Sequence, residues 1–499
     1  ESEFTKKEIM SFYLNHNFYG NRSYGVKSAI YTYFGQTIDE FNQSPKEERL
    51  AKASLLIGMI NAPSYYNPYN HPERVLQKRN VVLTNLYGAG FIEQDVYEKA
   101  IEKDLMILNA PNTASLNEKI YYPEVATFVF EEVQEITGKS LEEIRQGGYR
   151  IHTSFDPYVY EAVREEVESF PRYPENPNAT DPLQTSTVLV NHENGEIVAF
   201  TGSRFETEEF AVFNRAIHSR RQPGSSFKPI ISYGPLLEQG NYKMYSSIPC
   251  KRNYPGYTVS DWCGTSKQMM YALRDSNNST AVWGLYHVGV DYAREYASKL
   301  GITLTDNDIY LPIALGGLSQ GVTTTEMADA FQAFANGGKR AEAHIVTNIF
   351  DVNNEKIHEP EEPEQVIKKE SADQLKTMLR MVVTGGIGRN AHIPGENVGG
   401  KTGTNDTGDG RGNRDIWFVG FTDDISASVW MGYDNSSGNN YIPQGNISTI
   451  AADLWGEVMG SAVKRFKEEK ENTLRNIEMD IYTNIEQNTI FLNWDYNEY

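Results

Sequence analysis

The stretch Thr185-Ser-Thr-Val-Leu-Val-Asn-His-Glu-Asn-Gly-Glu-Ile-Val-Ala-Phe-Thr201 sets two β-rich runs on either side of Asn194-Gly195. That dipeptide suits the tight turn of an antiparallel hairpin, so a sheet begins here. Its further strands come from far along the chain. Residues 398–404, 415–421 and 426–433 read as three successive strands, followed by an amphipathic helix over 450–467, while helical stretches dominate 225–338. The late strands are joined by short turns rather than crossover helices, which excludes a parallel doubly wound sheet. The expectation is an α+β, three-layer domain over 184–468, with a central, mainly antiparallel sheet assembled from distant segments.

Upstream, helical patterns at 6–13, 45–59 and 75–87 are punctuated by Gly20, Gly25, Gly35 and the loop 61–68, giving a helical module over 1–110. Residues 111–183 mix helices (123–137, 157–169), a short strand (149–153) and a Pro/Asn-rich stretch, and read as a small linking subdomain. The charged, polar segment 469–499 reads as a peripheral tail. At 499 residues, several domains are expected.

Composition narrows the function classes. The apolar fraction of 39%, with 31 Tyr and 22 Phe, supports packed interiors and excludes a mainly disordered chain. Forty-six Lys and Arg against 67 Asp and Glu leave a net charge of −21 with no basic stripe, which argues against a nucleic-acid partner. The longest apolar run, near 53–63, is too short for a bilayer span. Nine His show no metal-ligand spacing, and neither metal nor cofactor is expected. Cys250 and Cys263 are the only cysteines, too few for a disulfide scaffold and badly spaced for zinc. The sequence leaves a bridge and two free thiols both open.

Three short motifs carry chemistry. Gly224-Ser225-Ser226-Phe227-Lys228-Pro229 precedes an apolar run ending at Gly240. Ser225 would therefore stand at a helix N-terminus with Lys228 one turn on, on the same face. A serine hydroxyl is a weak nucleophile, and a lysine kept neutral by desolvation can take its proton. The helix start adds unpaired N–H groups beside an attacked carbonyl. Alone, the motif equally describes a capping serine and a solvated lysine. Ser276-Asn277-Asn278 follows 51 residues after Ser225, and Lys401-Thr402-Gly403-Thr404 stands on a strand with Lys401 125 residues after Ser276. Asp415 and the pair Trp417-Phe418 read as structural strand residues.

A Ser-x-x-Lys, Ser-x-Asn and Lys-Thr-Gly set in this order resembles the catalytic signature of β-lactamases and penicillin-binding proteins, with Asn277 where Ser-Asp-Asn has Asp. Specifically, the chain resembles a class A penicillin-binding protein through Arg221-Gln-Pro-Gly-Ser-Ser-Phe-Lys-Pro229, Ala272-Leu-Arg-Asp-Ser-Asn-Asn278, Ala314-Leu-Gly-Gly317 and Gly399-Gly-Lys-Thr-Gly-Thr404. Upstream, Lys6-Lys-Glu-Ile-Met-Ser-Phe-Tyr-Leu-Asn15, Tyr24-Gly-Val26, Ala62-Pro-Ser64 with Asn67-Pro68, and Lys78-Arg-Asn-Val-Val-Leu83 are similar to the later motifs of a family 51 peptidoglycan glycosyltransferase. The motifs with that family's catalytic glutamates would precede Glu1, and Ser11 stands where the family usually has Glu. Residues 1–110 are accordingly expected to be a glycosyltransferase remnant without polymerising activity of its own.

The resemblance implies a β-lactamase-like fold and a DD-transpeptidase acting on peptidoglycan stem peptides that end in D-Ala-D-Ala. It implies Ser225 as nucleophile, Lys228 as base and Ser276 as proton relay. Asn278 would hold the substrate amide, and Lys401, Thr402, Gly403 and Thr404 would bind the donor along the strand. Ser225 and Thr404 N–H groups would form the oxyanion hole. β-Lactam antibiotics are implied ligands and wall-synthesis proteins implied partners. The implied location is the extracytoplasmic face of the bacterial membrane, through an anchor this sequence lacks. A serine β-lactamase is disfavoured because no Glu-x-x-Leu-Asn element is found. A DD-carboxypeptidase differs only in its acceptor. A non-catalytic scaffold would not need Ser225, Lys228, Ser276, Asn278 and Lys401 together.

Overall fold

The computed structural model describes residues 25–60, 62–63, 65–109, 122–206, 213–351, 355–445, 449–471, 479–484 and 489–494, with isolated positions before 25. Ser11, Tyr24 and Ser64, and most of the 6–15 motif, lie outside the described residues. The N-terminal module packs α1 (Val26–Phe34), α2 (Lys46–Met59), α3 (Pro72–Gly88) and α4 (Gln94–Glu102). Helix α2 begins after Pro45 with Glu47 and Glu48 in its first turn, where the helix dipole favours anions. Its Leu55, Leu56 and Met59 enter a core with Tyr19, Ile30, Tyr33 and Val75. Arg79 of α3 is fully buried and donates to the carbonyls of Ile101 (3.2 Å) and Asp104 (2.6 Å), tying α3 to the exposed carbonyls at the end of α4.

Helices on either side of a short strand lead into the main sheet, the shortest of them over Leu141–Gln146. Helix α5 (Pro123–Thr137) starts with Pro at its first turn, and α6 (Pro157–Ser169) is capped by Asp156, whose carboxylate accepts from Tyr158 N and Val159 N. Between them lies β1 (Arg150–Thr153). Residues 123–170 do not stand apart from the main sheet. Phe128, Val129, Val159, Val163 and Phe170 share one core with Val188, Leu189, Phe200 and Trp455.

The central sheet contains β2 (Gln184–Asn191) and β3 (Ile197–Thr201), which form the expected hairpin, with a register shift at Leu189/Val190. Helices α7 (Asn278–Val288) and α8 (Thr324–Ala335) contribute to a helical core on one face of this sheet. Strand β4 (Val346–Phe350) pairs with β1 in a second sheet, and α9 (Lys369–Gly385) follows. Strands β5 (Gly399–Asp406), β6 (Gly412–Phe421) and β7 (Ile425–Gly432) complete the main sheet, in the spatial order β5-β6-β7-β2-β3 with every pair antiparallel. The residues 442–443 add a short strand beside β6. Helix α10 (Ile450–Glu471) lies on the α6 face.

The period of two along β6 explains the three layers. Ile416 and Phe418 face the core shared with α6 and α10, while Trp417, Val419 and Phe421 face the core shared with α8 and α9. Trp417, Trp430 and Trp455 are almost fully buried, and burying an aromatic side chain of this kind stabilises by roughly 2–3 kcal/mol. The fold is thus the expected three-layer α+β domain behind a helical module.

Helices dominate 225–338, with short strand pairs at 247–249 with 266–268, and 253–254 with 257–258, set between them. In the polar tail, 479–484 pairs with β1 and 489–494 pairs in turn with it. Among the described residues no helix is long and apolar enough to cross a membrane, and no group of three His, Cys, Asp or Glu is placed to hold a metal.

Candidate active site

Ser225 lies on a turn that is not a regular α-helix. Residues 224–227 form a 3₁₀ turn, 229–233 a π-helical turn and 234–238 an α-helical one. The two prolines give the reason. Pro229 has no N–H to offer the Ser225 carbonyl, which accepts from Lys228 N instead, and Pro235 likewise removes a donor one turn on. Lys228 still follows Ser225 by one turn, as the spacing predicts. Ser225 is half-buried, and its Oγ has no hydrogen-bond partner among the described residues.

Lys228 is fully buried, and its Nζ donates to Ser276 O (2.6 Å), Ser276 Oγ (3.3 Å) and Asn278 Oδ1 (2.5 Å). Burial drives its ammonium down from the ordinary 10.5 to about 7, with the Asp261 carboxylate opposing. A lysine in this state supplies a neutral amine near neutral pH. The turn carrying Ser276 is held by Ser276 N to Leu273 O (3.0 Å) and Asn277 N to Ala272 O (2.9 Å). Ser276 itself has φ +54°, the left-handed region that non-glycine residues occupy rarely and often at functional sites. Asn277 caps α7, its Oδ1 accepting from Thr280 N (3.0 Å) and Ser279 Oγ (2.9 Å).

Strand β5 brings the third motif to the same place from the edge of the sheet. Lys401 is fully buried, and its Nζ donates to Thr402 O (2.9 Å) and Thr402 Oγ1 (3.3 Å). Burial holds this amine well below its ordinary range, and the Lys228 charge pushes it the same way.

The glycines show how closely the motifs abut. Gly224 has φ +56°, and a Cβ there would lie against the Thr404 backbone, 2.8 Å from its nitrogen. Gly316, with φ +78°, presses the Ala314–Gly317 turn onto the Gly224 backbone. Gly403 has no room for a side chain beside Pro223 O and Ser226 Oγ. The structure therefore gathers Ser225, Lys228, Ser276, Asn278, Lys401, Thr402, Gly403 and Thr404 around one edge strand.

Other residues occupy supporting places. Asp415 is buried and accepts from Trp430 Nε1 (3.0 Å) and Asn405 Nδ2 (2.8 Å), while Trp417 Nε1 donates to Gln222 O (2.9 Å). The 405–413 loop is the exposed tip of the β5–β6 hairpin, tied by Thr407 Oγ1 to Asp409 (2.7 Å) and Gly408 N to Asp406 (2.7 Å). Cys250 and Cys263 form a disulfide. Sequence reasoning missed Asp261, which stands in no motif. The signal that could have found it was the proximity of Cys263, had the bridge been assumed.

Comparison with known proteins agrees with this geometry. A family model described as "Penicillin binding protein transpeptidase domain" matches residues 185–459, and one described as "Transglycosylase" matches residues 1–87. The chain is 30% identical to Penicillin-binding protein 1F of Bacillus subtilis over 93% of its own length and 62% of that protein. It is 31% identical to Penicillin-binding protein 1A/1B of the same organism, over 88% of this chain and 48% of that one. It therefore spans about half to three fifths of the length of these relatives. Among solved structures, Penicillin-Binding Protein 1A from Haemophilus influenzae superposes with a TM-score of 0.63 at 20% identity, covering 93% of this chain and 86% of that one. The PonA1 protein from Mycobacterium tuberculosis superposes with a TM-score of 0.59 at 22% identity, over 69% of this chain and 92% of that one. With a transglycosylase segment ahead of a transpeptidase domain that carries all three motifs, the chain belongs to the class A penicillin-binding proteins.

Proposed function

We propose that residues 184–468 form a serine-type D-Ala-D-Ala transpeptidase that cross-links peptidoglycan stem peptides. The observation that carries the reading is the Lys228 amine, fully buried, depressed to about 7, clamped by Ser276 and Asn278 and one turn from Ser225.

In this mechanism neutral Lys228 accepts the Ser225 hydroxyl proton as Oγ attacks the penultimate D-Ala carbonyl. The negative charge that develops on the carbonyl oxygen meets the backbone N–H groups of Ser225 and Thr404. Ser276 Oγ, which can donate as well as accept, passes the proton from Lys228 to the leaving amine, and D-Ala departs. An amine of a second stem peptide then attacks the ester, restores the Ser225 hydroxyl and leaves a new amide. Asn278 orients the donor amide. Lys401, Thr402 and Thr404 offer charge and hydroxyls to the donor carboxylate, Gly403 lets β5 lie close against the turn that carries Ser225, and the position of β5 at the sheet edge leaves it free for an extended peptide to pair with. β-Lactams, as mimics of the donor, would acylate the same Ser225.

The transglycosylase match over residues 1–87 supports a link to glycan polymerisation, and wall-synthesis proteins are the proposed partners. The Cys250–Cys263 disulfide supports an oxidising, extracytoplasmic location at the membrane face, since such bridges persist outside the reducing cytosol.

The test offers the chain a synthetic stem peptide ending in D-Ala-D-Ala together with an amine acceptor. Released D-Ala with an equal amount of new amide is expected, and both should vanish in Ser225→Ala. Release of D-Ala without amide would point to a carboxypeptidase, and rapid destruction of added penicillin to a β-lactamase.

A further inference from the structure

The loop closed by the Cys250–Cys263 disulfide carries Asp261, whose carboxylate reaches the turn bearing Ser276 and Asn278. Its Oδ2 accepts from the backbone N–H of Asn278 (2.7 Å) and from Asn277 Nδ2 (3.1 Å), and its Oδ1 accepts from the backbone N–H of Ser279 (2.9 Å). Three donors thus meet one carboxylate at the first turn of α7. Unpaired N–H groups and the helix dipole both favour an anion there. The residue so held, Asn278, turns its side-chain oxygen to Lys228 Nζ at 2.5 Å. Its neighbour Ser276 keeps a left-handed conformation that persists only where the surroundings over-determine it.

The bridge lies against the same turn. Cys263 Sγ is 3.2 Å from Asn277 Oδ1 and 3.5 Å from Ser279 Oγ. At the other end of the loop, Cys250 N donates to Thr265 O (3.1 Å), and residues 247–249 pair with 266–268. The loop that delivers Asp261 is therefore fastened at its base by the disulfide and two short strands, and again by the Asp261 carboxylate two residues before Cys263.

We infer, on the reading that Ser225 carries out acyl transfer, that Asp261 is a positioning residue for that reaction, acting through Asn278 and Ser276 on Lys228, and that the Cys250–Cys263 bridge keeps it in place.

The arrangement has an electrostatic side. Asp261 is a negative charge facing Lys228 and favours its protonated form, while burial disfavours that form. Removing the carboxylate should therefore make Lys228 lose its proton at lower pH, an effect that loss of packing alone would not produce.

The test measures the second-order acylation of Ser225 by a fluorescent penicillin between about pH 5 and 9, normalised to the fraction of protein that labels. Asp261→Asn removes the charge and keeps one accepting oxygen, so its acid limb should move to lower pH with a plateau loss of about threefold. Asp261→Ala removes the acceptors too, and its plateau should fall about tenfold or more. The double variant Cys250→Ser/Cys263→Ser keeps the carboxylate, and should lose about threefold or more in plateau while its limb stays near that of the intact protein. A normal plateau and an unmoved limb in Asp261→Ala would overturn the positioning role. Should that variant not fold, an unmoved limb in Asp261→Asn overturns it instead. A normal rate in the double cysteine variant would overturn the anchoring by the bridge. Failure of the unsubstituted chain to label on Ser225 at all would remove the acyl-transfer reading, and this inference with it.

Discussion

The rate at which Ser225 is acylated should rise with pH through about 7 and then level off. The perturbation is proton concentration, and the responding group is Lys228, fully buried and depressed to about 7. At about pH 7.5 a lysine with its ordinary value would be neutral in about one molecule in a thousand, whereas one at about 7 is neutral in roughly three molecules in four. The sign follows from the mechanism. The neutral amine takes the serine proton, so the rate should fall about tenfold for each pH unit below the limb and stay flat above about pH 8. Stopped-flow acylation with a fluorescent penicillin, run from about pH 5 to 10, would trace this limb. Lys228→Arg places a cation there that cannot be deprotonated, and should lower the plateau by about a hundredfold or more. A rate still climbing between about pH 8 and 10, or an arginine variant that keeps the plateau, would refute the assignment of Lys228 as a base prepared by burial.

Three further outcomes are expected from the packing. Gly224→Ala sets a Cβ against the Thr404 backbone at a φ of +56°; acylation should fall about a hundredfold through displacement of the edge strand, measured with the same label. Glu124→Ala strips the buried partner from Arg164, which lies 3.6 Å away, and from Tyr160 and Gly202, which donate to it at 2.7 and 2.9 Å; a loss of about 3–5 kcal/mol is expected in denaturant unfolding. His192 is buried, its Nε2 against Asp423 O at 2.6 Å, and burial holds its pKa at about 4, below the ordinary 6.5. A depressed folded value means that stability is fully present above about 6.5 and is lost as pH falls toward 4. His192→Gln should remove up to about 3 kcal/mol of that acid dependence, read from melting curves across the window.

Much of this was legible in the sequence. Asn194-Gly195 announced its hairpin, and the segments 415–421 and 426–433 read as strands became β6 and β7, because a sheet covered on both faces leaves apolar runs such as 416–419. The site residues were legible through spacing, since Ser225 and Lys228 depend on one local turn and the Lys401 motif on one local strand. What was not legible depends on long-range contact. That residues 157–169 share a core with α10 is fixed by packing between segments nearly 300 residues apart on one face of the sheet. The 3₁₀ and π turns around Pro229 arise from missing donors, a constraint that the apolar pattern of 230–237 conceals. Asp261 escaped notice because its role lies in three hydrogen bonds to residues 16 to 18 positions away, delivered by a disulfide the spacing of two cysteines could not decide.

The most direct test of the central claim is mass spectrometry of the chain after exposure to benzylpenicillin, beside Ser225→Ala. A persistent adduct of one drug molecule is expected on the peptide that contains Ser225, absent from the variant. An adduct on another residue, or no adduct while the chain remains folded, would contradict it, as would an adduct that disappears rapidly while the drug is destroyed.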